Sequence, residues 1–155
     1  MPSWKVAEED PRNPDVVELL ERHLEFARGA TPPEDVHALD LDGLLDPTVI
    51  FFSLRDNGTL LGIGAVKALD STHVELKSIH TAEGARGNGV GRAMVEHLLA
   101  VARERGASRV SLETGSMEEF APSRALYTRL GFVECEPFDD YSPSRASTFM
   151  TLQLH

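Results

Sequence analysis

Three glycines alternate in ARGNGVGRAMV, residues 85–95, between Arg86 and Arg92 and just ahead of an apolar run. Glycine inside a helix costs about 1 kcal/mol relative to alanine, so Gly87, Gly89 and Gly91 mark a place where bare backbone is needed. The first amides of a helix lack intrahelical acceptors, and the helix dipole favours an anion at that end. Phosphate is the natural occupant: with no Cβ in the way its oxygens reach the amides, and two arginines flank them. A plain turn needs only one or two of these glycines. The spacing is not the dinucleotide fingerprint G-x-G-x-x-G, because position 92 is Arg, and no Lys-Ser or Lys-Thr follows as a Walker A loop requires. What remains is R-x-x-G-x-G, with Gly87 serving the turn and Gly89 and Gly91 baring the amides.

The elements that must hold this loop follow from periodicity and punctuation. WKVAEED reads as a short strand. In NPDVVELLERHLEFARG, Asn13 can cap a helix, Pro14 suits its first turn and Gly29 its end, with Val16, Leu20, Leu24 and Ala27 on one face. TPPEDVHAL reads as a second short helix capped by Thr31. Apolar runs on either side of Asp56-Asn57-Gly58 predict a hairpin, since that turn supplies the positive φ angles a tight connection needs. HVELKSIHTA alternates as a third strand and ends just before the glycine loop, its outward set being His73, Glu75 and Lys77. The helix from Val90 repeats at Met94, His97 or Leu98 and Val101, and stops at Gly106. SRVSLET is a strand, EEFAPSRALYTRLG a helix ending at Gly131, and FVECEP and STFMTLQL are the last strands. The order β-α-α-β-β-β-α-β-α-β-β describes one α/β domain of the mixed-sheet (α+β) kind over residues 1–155, with the glycine loop at its strand–helix centre.

Composition narrows the function classes. The 155 residues suffice for one domain with a real core, and 41% hydrophobic content is that of a folded globular chain. A net charge of −10, from 15 basic against 25 acidic residues, argues against nucleic acid or an anionic membrane as partner. Cys135 is the sole cysteine and cannot form an internal disulfide, which fits a cytoplasmic protein; a buried apolar thiol is the expected role. MPSWKVAEEDPRN has no apolar leader, and no run approaches the ~20 residues of a membrane span.

A second motif lies in ALYTRLGF, residues 125–132. Taken with R-x-x-G-x-G, it resembles the GNAT superfamily of N-acetyltransferases, whose acyl-CoA loop and Y-x-[KR]-x-G-F segment match Arg86–Gly91 and Tyr127–Phe132. The resemblance extends along nearly the whole chain, since the element order is also that family's. It implies acetyl-CoA as acyl donor, no metal, and direct attack by a primary amine in a ternary complex, which suits a sequence without a convincing nucleophile. It implies a bulge near Ser78 and Ile79, with the backbone of Ile79, His80 and Thr81 bonding the pantetheine arm and the acetyl carbonyl. One oxyanion donor of this kind is worth about 3 kcal/mol. Arg86, Gly87, Asn88, Gly89, Val90, Gly91 and Arg92 would hold the pyrophosphate, and Tyr127, a phenol with pKa near ~10, would protonate the leaving thiolate.

The base is open among several groups. Family members often carry a glutamate on the strand before the loop, acting through water; Glu75 takes that place first, with His73, His80 and Glu113 behind it. The plainer alternative for Glu75 is an ion pair with Lys77. Where the family often has Asn seven residues before the tyrosine, this chain has Phe120, and Pro122 lies in the first turns of the same helix; Thr114 and Ser116 are the available substitutes as cofactor contacts. In this fold the first helices and the last hairpin border the acceptor, which makes His23, His37, Asp139, Asp140 and Tyr141 candidate contacts for a cationic amine. A small-molecule amine, an amino-acid derivative or a protein N-terminus would fit a monomer or homodimer of this kind. The rival reading is a catalytically silent acyl-CoA sensor, which would keep the glycine loop without needing Tyr127 or Glu75.

Overall fold

The computed structural model describes residues 3–30, 41–139 and 141–154, with 26–30 described by backbone alone. The chain runs β1 (Trp4–Glu8), α1 (Pro14–Ala30), α2 (Leu41–Leu44), β2 (Val49–Asp56), β3 (Thr59–Ala68), β4 (His73–Thr81), α3 (Val90–Glu104), β5 (Arg109–Gly115), α4 (Ala121–Arg129), β6 (Val133–Glu134) and β7 (Ser147–Gln153). Apart from the expected second helix, TPPEDVHAL, which lies outside the described residues, the expected elements follow one another in the observed order. Helix α1 continues one residue past Gly29, and Leu41–Leu44 forms a short helix of its own. No described helix is long and apolar enough to cross a membrane.

Seven strands form one sheet in the order β1-β2-β3-β4-β5-β7-β6. All neighbours are antiparallel except β4 and β5, which run parallel because α3 crosses between them. Asn57 (φ 50°) and Gly58 (φ 90°) both take the left-handed conformation, the requirement of a two-residue hairpin.

Strand alternation divides the core between two faces. On one, Val66, Val74, Leu76, Val110, Leu112 and Met150 meet the apolar stripe of α3 together with Tyr127 and Phe132. That stripe is Val90, Met94, Val95, Leu98, Leu99 and Ala102, and burying each of the larger side chains contributes about 1.5–3 kcal/mol. Helix α3 seats closely because a Cβ at Gly64 would come within 2.8 Å of Met94 Cγ. On the other face, Phe51, Ile63 and Ala65 pack against Val16, Leu19 and Leu20 of α1 and Leu44 of α2. Glu75, Lys77, Ser111 and Glu113 belong to this second face by alternation, beyond the reach of α2.

Candidate active site

The strand leading to the glycine loop is opened on one side. From Ala65↔Lys77 to Ile63↔His80, β3 advances two residues while β4 advances three, so β4 carries a bulge at Ser78 and Ile79. Ser78 has φ 55°, a conformation that costs a non-glycine residue about 1–3 kcal/mol. Its buried hydroxyl has no partner among the described residues. The parallel ladder with β5 ends at Leu76↔Leu112, whereas β5 continues to Gly115 against Ser147 of β7. Past Leu76, then, the β5-facing edge of β4 has no strand partner, and Ile79, His80 and Thr81 lie along that edge.

The edge feeds directly into the loop. A one-turn 3-10 helix, Glu83–Ala85, is braced by the Asn88 side-chain amide, which donates to the Ala85 carbonyl at 3.3 Å. Gly87 (φ 83°) and Gly89 (φ 84°) are both left-handed, and Gly89 is the N-cap of α3. The first helical bond is Ala93 N–H to Gly89 O at 3.0 Å, which leaves the amides of Val90, Gly91 and Arg92 without intrahelical acceptors. Gly89 takes the left-handed conformation of the turn as Gly87 does, and a Cβ at Gly91 would stand in ordinary contact, 3.4 Å, with Leu126 Cδ2. Arg92 reaches Glu96 at 3.3 Å on the surface.

Tyr127, near the end of α4, is 6% exposed and meets Phe132 edge-to-face at 5.8 Å. Burial, with a contribution from the Glu113 charge, raises its pKa above the ordinary phenol value, so the hydroxyl keeps its proton at neutral pH. Glu113 stands just past the last β4–β5 pair, and its charge acts on the hydroxyls of both Tyr127 and Tyr141.

Glu75 was expected on an outward face and is instead 1% exposed. Alternation did put it opposite Val74 and Leu76, but the segment before β7 folds over that face. Glu75 Oε2 accepts from the Tyr141 hydroxyl at 2.6 Å and from Lys77 Nζ at 3.0 Å. His73 joins Ser111 through Nε2 at 2.7 Å, and its pKa is lowered by burial and by Arg109. His80 meets His23 of α1, the two Nδ1 atoms 3.2 Å apart. Desolvation, with His23 and Arg86 adding repulsion, takes His80 down to about 3; desolvation takes His23 down to about 4. Both imidazoles are neutral at pH 7. Asp139 is exposed and acts on Tyr141, whereas His37 and Asp140 lie outside the described residues.

The bulged strand, the glycine-capped helix and a tyrosine on the helix that follows β5 stand in one run of the fold. The acetyltransferase (GNAT) family model matches residues 13–132. The chain belongs to the GNAT acetyltransferase family. It is 43% identical over 139 residues to the N-acetyltransferase YsnE of Bacillus subtilis, covering 90% of this chain and 92% of that one. The N-acetyltransferase YedL of Escherichia coli is 41% identical over 151 residues, 97% of this chain and 95% of that one. Among solved structures, a GNAT family acetyltransferase from Elizabethkingia anophelis with acetyl-CoA bound has the same fold, with TM-score 0.73, 17% identity and coverage of 99% and 100%.

In this GNAT acetyltransferase the Phe120 ring packs directly on Gly115 at the end of β5, where an added Cβ would collide with it. Arg124 closes the same corner, donating to the carbonyls of Gly115 at 2.7 Å and Met117 at 2.9 Å. Ser116 is bonded to Thr148 at 2.6 Å. Sequence reasoning missed the joint role of Lys77 and Tyr141, which are 64 positions apart and carry no motif.

Proposed function

We propose that the chain moves an acetyl group from acetyl-CoA to a primary amine by direct attack within a ternary complex. The observation that carries this reading is the continuity of the opened β4 edge with the capped α3 loop: one path for pantetheine, one cradle for pyrophosphate. The backbone of Ile79, His80 and Thr81 takes the arm and the acetyl carbonyl. The loop amides from Gly87 to Arg92 hold the diphosphate, with Arg86 and Arg92 adding charge and Asn88 bracing the turn. The relative from Elizabethkingia anophelis with acetyl-CoA bound supports the donor.

Tyr127 gives its proton to the thiolate as the C–S bond breaks, a step worth about 10²–10⁴ in rate. For the base we assign Glu113 rather than Glu75. Glu75 is buried at 1% exposure, while Glu113 is half-buried just past the last β4–β5 pair, where its charge acts on both tyrosine hydroxyls. The two histidines His23 and His80, neutral and low in pKa, make poor proton acceptors. With the donor on the α3 side, the amine enters from the opposite face, between α1 and the segment before β7. A cationic small-molecule amine suits the acidic surroundings of Glu113 and Asp139. The lone, half-buried Cys135 supports a cytoplasmic setting.

Tyr127→Phe tests the scheme. It should hold CoA affinity, read by calorimetry, within about threefold while turnover falls by about 10² or more. Unchanged turnover would remove Tyr127 from the mechanism.

A further inference from the structure

The Glu75, Lys77 and Tyr141 contacts close a three-membered polar ring on the second face of the sheet. The Tyr141 hydroxyl donates to Glu75 Oε2 at 2.6 Å and accepts from Lys77 Nζ at 2.6 Å. Lys77 Nζ also donates to Glu75 Oε2 at 3.0 Å, with the two side chains 8% and 2% exposed. Around the ring lies an aromatic cluster. Tyr141 contacts Phe138 at 5.2 Å and Phe149 at 5.4 Å, and Phe138 contacts His73 at 5.9 Å. The described part of the segment between β6 and β7 is thus held to the sheet by apolar packing, by backbone bonds at its two ends (Cys135 N–H to Phe149 O at 2.8 Å, Ser116 N–H to Ala146 O at 2.9 Å) and, between them, by the Tyr141 hydroxyl. Its position matters. Glu75 and Lys77 flank Leu76, the last residue of β4 paired to β5, so the hydroxyl is fastened where the strands begin to part.

We propose that Tyr141 is a positioning residue: its hydroxyl pins this segment across the acceptor side of the opened strands and shields the thioester from water until an amine enters. The inference rests on acetyl-CoA being the donor. Without the pin, water replaces the amine. Its oxygen bonds to the acetyl carbon, the C–S bond breaks, and acetyl-CoA plus water yields acetate, a proton and the free CoA thiol.

Tyr141→Phe removes one oxygen and keeps the ring contacts. With acetyl-CoA as the only substrate, amine-independent thiol release should rise by about tenfold or more, since a hydrogen bond to a charged group is lost. Amide hydrogen exchange in peptides over 136–146 should accelerate, that over 86–96 should stay unchanged, and CoA affinity should hold within about threefold. A merely structural role would shift melting without this selective hydrolysis. Glu75→Gln should give a similar rise, and the double variant no further one, because both cut the same tie. Unchanged hydrolysis in Tyr141→Phe, or additive effects in the double variant, overturns the proposal. Failure of the wild-type chain to bind acetyl-CoA would instead overturn the donor assignment, and this inference with it.

Discussion

At the scale of single residues, the two carboxylates on the second face differ by where they stand. Glu75 is buried, 1% exposed, beside Lys77 and Tyr141; Glu113 is half-buried past the point where β4 and β5 separate. Glu113→Gln should therefore flatten the acidic limb of the pH–rate profile and slow turnover by about 10²–10⁴. Glu75→Gln should leave that limb in place. A limb abolished by the Glu75 change alone would return the base to β4. The family, the glycine turn before α3 and the place of Tyr127 on α4 were legible in the sequence because short motifs mark them. The fate of Glu75 was not, because Tyr141 is 66 positions away and the alternating pattern fixes a face without telling what covers it.

At the scale of elements, the catalytic geometry depends on places where the regular ladder stops. The bulge at Ser78 and Ile79 opens β4, and Gly115 with Phe120 ends β5. Gly115→Ala should destabilise the fold by about 1–3 kcal/mol through collision with the Phe120 ring, seen as a lower denaturation midpoint. Adding Phe120→Ala should recover part of the loss, and an uncoupled pair of effects would contradict the contact. In the loop, a side chain at Gly89 is strained by its φ of 84° whatever binds there, so it tests the cradle poorly. Gly91 is free of that strain. Gly91→Val, whose side chain would face Leu126 and Thr81, should weaken CoA by about tenfold or more, beyond any drop in melting temperature from crowding Leu126. Retained affinity would refute the cradle. Long helices and strands were readable from period and caps; the four-residue helix Leu41–Leu44 was not, because it has too little periodicity to signal itself.

At the scale of the whole molecule, stability should fall on acidification for a reason built into the α1–β4 contact. His23 and His80 titrate at about 4 and about 3 in the folded chain, from a starting value of 6.5 for both. Between those limits the unfolded state binds protons that the folded state refuses. Stability is thus full above about pH 6.5 and declines as pH drops toward 4. Glu9, held down to about 2 by Arg55, loses its contribution in the window below its ordinary 4.5. The melting temperature should accordingly be flat above pH 7 and decline below 6.5, and His23→Phe should make the decline between 6.5 and 4 shallower. An unaltered slope would mean the pair is not buried neutral. Acetyl transfer to an amine is the central step, and thiol release from acetyl-CoA in the presence of a panel of primary amines measures it directly. Release should be matched one-to-one by N-acetylated product for at least one amine, and reduced by about 10² in Tyr127→Phe. Tight acetyl-CoA binding with no amine-dependent release would contradict it and leave a silent acyl-CoA-binding protein.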